Sequence, residues 1–293
     1  MGKVAAIQMN SSHVIGDNLA SAGRLLREAR AAGADIACLP ENFAFLGMRD
    51  ADKLEAAEKD GDGPVQSFLT DTARELKMWV LGGTINLRCD GDRRVANASL
   101  LIDAAGRRVA RYDKIHLFDV TIPGRNEQYR ESSTVVPGCE VVVADTPVGR
   151  LGMSVCYDMR FPELYRDLVS QGAQWFGVPA AFTVPTGRAH WETLLRARAI
   201  ENLCYVVAPA QVGTHSNGRD TYGDTLICDY WGGVLSRLAS GAGVVTADID
   251  LDKLAETRAR FPVLDNRRLA GPAAAAAAAP GAAAAAARAA VPA

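Results

Sequence analysis

The sequence predicts a single domain of the α/β class, in which parallel strands are fed by helices and further strands are joined by antiparallel hairpins. Three observations carry that reading. Apolar, strand-like runs alternate with segments of helical period from residue 3 to residue 260. The pairs Asp90-Gly91 and Ala105-Gly106 fall between consecutive strand-like runs, where glycine accommodates a hairpin turn. No linker or solenoid-length repeat interrupts the pattern before residue 270, so one continuous core is expected.

Taken in order, "KVAAIQM" (3–9) reads as a strand, residues 17–33 as an amphipathic helix ending at Gly33, and "DIACLP" (35–40) as a second strand. A helix over 65–76 precedes the strands "MWVLGGTI", "ANASLLID" and "RRVARYDK", which the two turns separate. The strands "EVVVADT" and "RLGMSVC" come after them. Pro162 at the first helical position, Glu163 in the first turn, and Leu164, Leu168 and Val169 on one face then define a helix over 162–172. The strand "WFGVPA", a helix over 188–202 and the strand "CYVVAPA" come next. The strands "TYGDTLICD", "GVLSRL" and "GVVTADID" and a helix over 252–260 close the domain. Residues 271–293 are alanine-rich, broken at Pro280-Gly281 and without an apolar face, so they are expected to form a disordered tail that carries no chemistry. The domain is therefore assigned to residues 1–270.

Composition excludes several classes. A net charge of −2 and the absence of any basic run give no support for nucleic-acid binding. No apolar stretch is long enough for a membrane span, and "MGKVAAIQMN" lacks the charged and apolar regions of a signal peptide, so a cytoplasmic location is expected. The six cysteines are scattered, with no C-x-x-C and no histidine pair at ligand spacing, which argues against structural zinc and for free thiols. Cys38, Cys204 and Cys228 lie in apolar runs as small core residues.

Cys156 differs. It sits where a strand runs into a helix, at the carboxyl edge of the sheet, where α/β proteins hold reactive side chains. A neutral thiol needs a partner that takes its proton or stabilises the thiolate. The four histidines (His13, His116, His190, His215) are open candidates, and His116 competes most directly because it lies two residues beyond Lys114. A buried carboxylate balanced by a fixed cation can serve instead. Glu41 directly follows "DIACLP" at a strand's carboxyl end, and Lys114 precedes the apolar segment "IHLFD". Singly, each reads equally as a solvated charge. A serine-hydrolase elbow does not fit, because "GMSVC" has Cys156 where glycine is required.

The segments "LPENF", "YDKIHLFD" and "VCYDMRFPELYR" together resemble the Glu, Lys and Cys motifs of the nitrilase (carbon-nitrogen hydrolase) superfamily, in the same order, and the similarity spans residues 3 to about 269. Within it, "DVTIPGRNEQYRESSTVVPG", "AHWETLLRARAIENLCYVVAPAQVG" and "CYDMRFPE" look like the deaminated glutathione amidase branch. The omega-amidase branch, acting on 2-oxoglutaramate, shares the last motif and is the alternative, as is a carbamoylase. The resemblance implies a four-layer αββα sandwich that pairs into a homodimer or larger homo-oligomer. It implies an amidase that forms a thioester on Cys156, with Glu41 as general base, Lys114 and the Tyr157 N–H as oxyanion donors, and Glu131 beside the triad. No cofactor or metal is required.

The implied substrate is a small-molecule amide with an α-keto acid moiety. Arg160, four residues after the nucleophile, is then expected to clamp its carboxylate, the competing reading being an ion pair with Asp158 or Glu163. Thr186, in the loop before a helix, is expected either to bind substrate or to cap that helix, and Phe182 and Trp191 to shape the pocket or simply to pack. One departure is Asp224 in "TYGDTLICDYWG", where relatives usually carry histidine.

Overall fold

The computed structural model describes residues 1–124 and 127–269. Two sheets repeat one plan. In the first, the strands Gly2–Gln8, Ile36–Cys38 and Trp79–Leu81 run parallel, joined by the crossover helices Ile15–Ala31 and Pro64–Leu76. Antiparallel strands flank them, giving the order Gly243–Ile249, Gly2–Gln8, Ile36–Cys38, Trp79–Leu81, Val95–Ile102, Ile85–Arg88, with Arg108–Asp113 also paired to Val95–Ile102. In the second, Gly149–Met153, Trp175–Gly177 and Tyr205–Ala208 run parallel, crossed by the helices Pro162–Ser170 and Val184–Asn202. Val143–Thr146, Thr225–Cys228 and Val234–Leu238 extend that sheet antiparallel.

The period-2 alternation of the strands sorts their side chains into layers. Ala5, Ile7, Ala37, Leu39 and Val80 pack against Leu25, Leu26 and Leu69 of the two helices on the outer face. Val4, Ala6, Ile36, Cys38 and Leu81 turn the other way and join Leu151, Met153, Trp175 and Phe176 of the second sheet. The sheets approach closely: a Cβ on Gly177 would lie 2.5 Å from Leu81 Cδ2, so any larger residue there would wedge them apart. Leu164, Leu168, Trp191 and Leu195 cover the second sheet's outer face, completing helix, sheet, sheet, helix. This is the expected four-layer sandwich, and both central parallel triplets are buried on both faces.

The departures from the sequence reading are local. The helix expected from residue 188 begins at Val184, because Pro185 falls in its first turn, where proline is tolerated. "TYGDTLICD" is two strands, Asp220–Tyr222 and Thr225–Cys228, split where Gly223 (φ 74°) and Asp224 (φ 63°) both turn left-handed. "MWVLGGTI" is interrupted likewise after Leu81. The pair Asp119–Thr121 and Gln128–Arg130 forms an antiparallel ribbon that the periodicity did not reveal. The alanine-rich tail lies outside the described residues.

Candidate active site

The strand Gly149–Met153 delivers Cys156 to a sharp turn. Cys156 is left-handed (φ 49°) and opens a single 3₁₀ turn, Cys156–Arg160, before the helix at Pro162. Such a conformation costs a non-glycine residue on the order of 1 kcal/mol and is kept only where its surroundings fix it. Here its N–H donates to the Pro179 carbonyl at 2.9 Å, and the fully buried Asp158 carboxylate accepts the Val155 N–H at 2.8 Å. The same carboxylate accepts the Tyr112 hydroxyl at 2.7 Å and the His116 N–H at 3.0 Å, and it contacts His116 Nδ1 at 2.7 Å. One side chain thus ties the residues flanking Lys114 to those flanking Cys156.

Glu41 stands three residues past Ile36–Cys38, and Lys114 directly follows Arg108–Asp113, at the same sheet edge. Lys114 Nζ lies 2.9 Å from Glu41 Oε1 and 2.9 Å from Glu131 Oε2, all three being shielded from solvent. Every remaining carboxylate oxygen is also engaged. Glu41 Oε2 accepts the Ala181 N–H at 2.9 Å, Glu131 Oε2 the Phe118 N–H at 2.7 Å, and Asn97 Nδ2 bridges Glu41 Oε1 and Glu131 Oε1 at 3.2 and 3.3 Å. Two buried anions around one cation are tolerable only because of this saturation. The Cys156 thiol lines the same cavity as Glu41, Lys114 and Ala181, close enough for the Glu41 and Lys114 charges to act on it.

The electrostatics are set by the packing. Burial, reinforced by the Glu41 charge and only partly offset by Lys114, pushes the Cys156 thiol well above its ordinary range, so it rests protonated. Burial would push Lys114 down, but the Glu131 and then the Glu41 carboxylates outweigh it and hold the ammonium charged. Burial opposes ionisation of Glu131 as well, and Lys114 and the Phe118 N–H overcome it, leaving that carboxyl below the usual range. A protonated nucleophile beside a carboxylate and a permanent cation is a site in which proton transfer must accompany attack.

These groups line a narrow cavity that opens to solvent, together with Tyr157, Phe182 and Thr186. Thr186 lies inside the first helical turn instead of before it, its hydroxyl 2.7 Å from that of Thr183, so it is not the cap. Phe182 faces the cavity with Trp191 behind it, and Trp191 Nε1 donates to the Asp224 carbonyl at 2.8 Å. Arg160 does not border the cavity directly. Its guanidinium lies 5.7 Å from the Tyr157 ring and 5.3 Å from the Phe182 ring, with one N–H near His190 Nδ1 at 3.3 Å. Neither Asp158 nor Glu163 pairs with it. Asp224 is away from the site, buried in an ion pair with Arg237. His116 is bound to Asp158 and stacked on Phe161, and none of the four histidines hydrogen-bonds Cys156. Asn97, Asp158 and Arg219 were missed. An asparagine in the apolar run "ANASLLID" was the available signal for the first.

The carbon-nitrogen hydrolase model matches residues 3–259. The chain belongs to the carbon-nitrogen hydrolase family. A deaminated glutathione amidase from Yersinia enterocolitica is 42% identical over 90% of this chain and 92% of its own. The Homo sapiens protein of that name is 42% identical over 90% of this chain and 82% of its own. The crystal structure of the Caenorhabditis elegans NitFhit protein superposes with a TM-score of 0.85 at 38% identity, covering 91% of this chain and 65% of that one. This carbon-nitrogen hydrolase is accordingly an enzyme that cleaves carbon–nitrogen bonds. Among the described residues no helix is long and apolar enough to cross a membrane.

Proposed function

We propose that this hydrolase is an amidase that converts deaminated glutathione to 2-oxoglutarate and cysteinylglycine through a thioester on Cys156. The observation that carries the reading is the buried Cys156 thiol on one cavity wall with Glu41 and Lys114, the Lys114 ammonium lying 2.9 Å from the Glu41 carboxylate. Glu41 takes the thiol proton as sulfur attacks the amide carbonyl. The oxyanion is held by the Lys114 ammonium and the Tyr157 N–H, which lies in the first turn of its 3₁₀ segment and so has no intrahelical acceptor. Glu41 returns the proton to the leaving amine and then activates the water that releases the acid. Glu131 and Asn97 fix Lys114 and Glu41 throughout.

For the substrate, the names of the relatives support deaminated glutathione. Arg160, which has no carboxylate partner among the described residues, suits the α-keto carboxylate once Tyr157 and Phe182 admit it, and Thr186 offers a hydroxyl in the same cavity. Side-by-side kcat/KM for deaminated glutathione and 2-oxoglutaramate tests the reading. Preference for the first is expected, and turnover of 2-oxoglutaramate alone would reassign the enzyme as an omega-amidase.

Two further parts of the proposal are a cytoplasmic location and a homodimer. Trp231, Phe261, Ile200 and Leu235 are each at least 45% exposed, and the first two pack ring against ring, so they offer an apolar surface that a second copy would cover. Sedimentation equilibrium showing a monomer would remove the homodimer.

A further inference from the structure

Arg219 lies on the turn between Val212–Thr214 and Asp220–Tyr222, on the wall of the same cavity. Its backbone is fixed at both ends: its N–H donates to Asn217 Oδ1 at 2.9 Å and its carbonyl accepts the His215 N–H at 2.9 Å. The guanidinium spends one N–H on the Ala181 carbonyl at 2.9 Å and lies 5.3 Å from the Tyr129 ring centroid. Its Nε is shielded from solvent and has no acceptor, and no carboxylate among the described residues pairs with it. Lys53 borders the cavity too, and its charge reaches Glu131. The acidic groups nearest on that side are Asp50 and Glu127, whose charges reach Tyr129 as Arg219's does.

Arg219 and Arg160 stand at opposite ends of one aromatic arc. Tyr157 packs on Phe118 and Phe118 on Tyr129, each with centroids 5.1 Å apart, and Arg160 closes on Tyr157 as Arg219 closes on Tyr129. Two guanidiniums with no carboxylate partner among the described residues, separated by three rings, suit a molecule with an anion at each end. A chain of about three residues spans roughly 10 Å, the scale of the two ring-to-ring steps from Tyr157 to Tyr129. A planar guanidinium backed by a ring and with N–H groups to spare is suited to bidentate carboxylate binding.

We infer that Arg219, backed by Tyr129, binds a carboxylate carried by the leaving amine, so that the enzyme selects amides whose amine half is a small acidic peptide over amides with an uncharged amine half. This rests on the amidase reading above and names what that site recognises beyond the scissile bond.

The test compares deaminated glutathione with its C-terminal carboxamide, which removes only the far charge, on the wild-type enzyme and on Arg219→Gln and Arg219→Lys. Wild type is expected to favour the acid by about tenfold or more in kcat/KM, chiefly through KM. Arg219→Gln is expected to bring that ratio close to one, with Arg219→Lys in between. If Arg219 merely props Ala181, the substitution lowers both substrates by the same factor and leaves the ratio intact, which overturns the inference. Equal use of both forms by wild type overturns it as well while leaving the amidase reading standing, even if the variants do not fold. Failure of wild type to hydrolyse either form removes the amidase reading and the inference with it.

Discussion

Replacing Asp158 by asparagine removes one charge and keeps the shape, and the contacts of its two oxygens set the cost. Oδ2 accepts the Tyr112 hydroxyl and the Val155 N–H, while Oδ1 accepts the His116 N–H. An asparagine has one acceptor oxygen and one donor amide. With its oxygen toward His116, its NH₂ meets the Val155 N–H; flipped, it meets the His116 N–H. The Tyr112 hydroxyl can rotate to accept, but a backbone donor cannot, so either orientation buries an unpaired N–H at a cost of about 1–3 kcal/mol. Downgrading the remaining charge-assisted bonds adds to this, giving an expected total of about 3 kcal/mol. Because the lost bonds hold both Lys114 and Cys156 in place, kcat should also fall on the order of 10²-fold. Urea unfolding at unchanged m-value, with steady-state kcat on the same preparations, measures both. A stability loss under about 1 kcal/mol together with nearly native kcat would refute the role given to this carboxylate.

The buried ion cluster and the thiol beside it make further outcomes testable. Lys114→Met should abolish turnover and destabilise by about 3–5 kcal/mol, since it strands two buried carboxylates, and adding Glu131→Gln should restore part of that stability in denaturant titrations. The Glu131 carboxyl is held below its ordinary value of 4.5, so its stabilisation is complete above that value and is lost as pH falls through the lower native one. The Lys114 ammonium is held above 10.5, so its share is complete below that value and lost as pH rises through the higher native one. Unfolding free energy measured against pH should therefore lose its acid-side slope partly in Glu131→Gln. In Glu41→Gln, burial still holds the thiol up and the base that takes its proton is gone, so iodoacetamide labelling of Cys156 should slow at fixed pH as hydrolysis collapses; labelling at the native rate, read by intact mass, would contradict the base role. Deleting residues 271–293 should leave kcat/KM unchanged in the same assay.

Much of the fold was readable because both halves follow one rule, buried strand then amphipathic helix, with Gly33 and Pro162 marking ends that the structure reproduces within about two residues. The errors arose where a local signal had two meanings. Pro185 stops a helix in its interior but starts one in its first turn, and Asp224 looks like a strand residue until its left-handed φ breaks the run. At the site, Cys156, Glu41, Lys114 and Glu131 could be singled out because the first three each follow or interrupt an apolar run and the family motifs add the fourth, and the structure brings all four together. Asn97 and Asp158 were opaque because their importance lies in bonds to residues 34 to 56 positions away. Arg160, expected to clamp the substrate carboxylate, lies against the Tyr157 and Phe182 rings and not on the cavity surface, a distinction of side-chain direction that spacing does not encode.

The proposed mechanism stands or falls on the covalent intermediate. Rapid-quench intact mass of the enzyme mixed with deaminated glutathione should show a 2-oxoglutaryl adduct that maps to Cys156, appears before free 2-oxoglutarate, and is absent together with turnover in Cys156→Ala. Turnover that survives Cys156→Ala, or an acyl adduct on another residue, would contradict it.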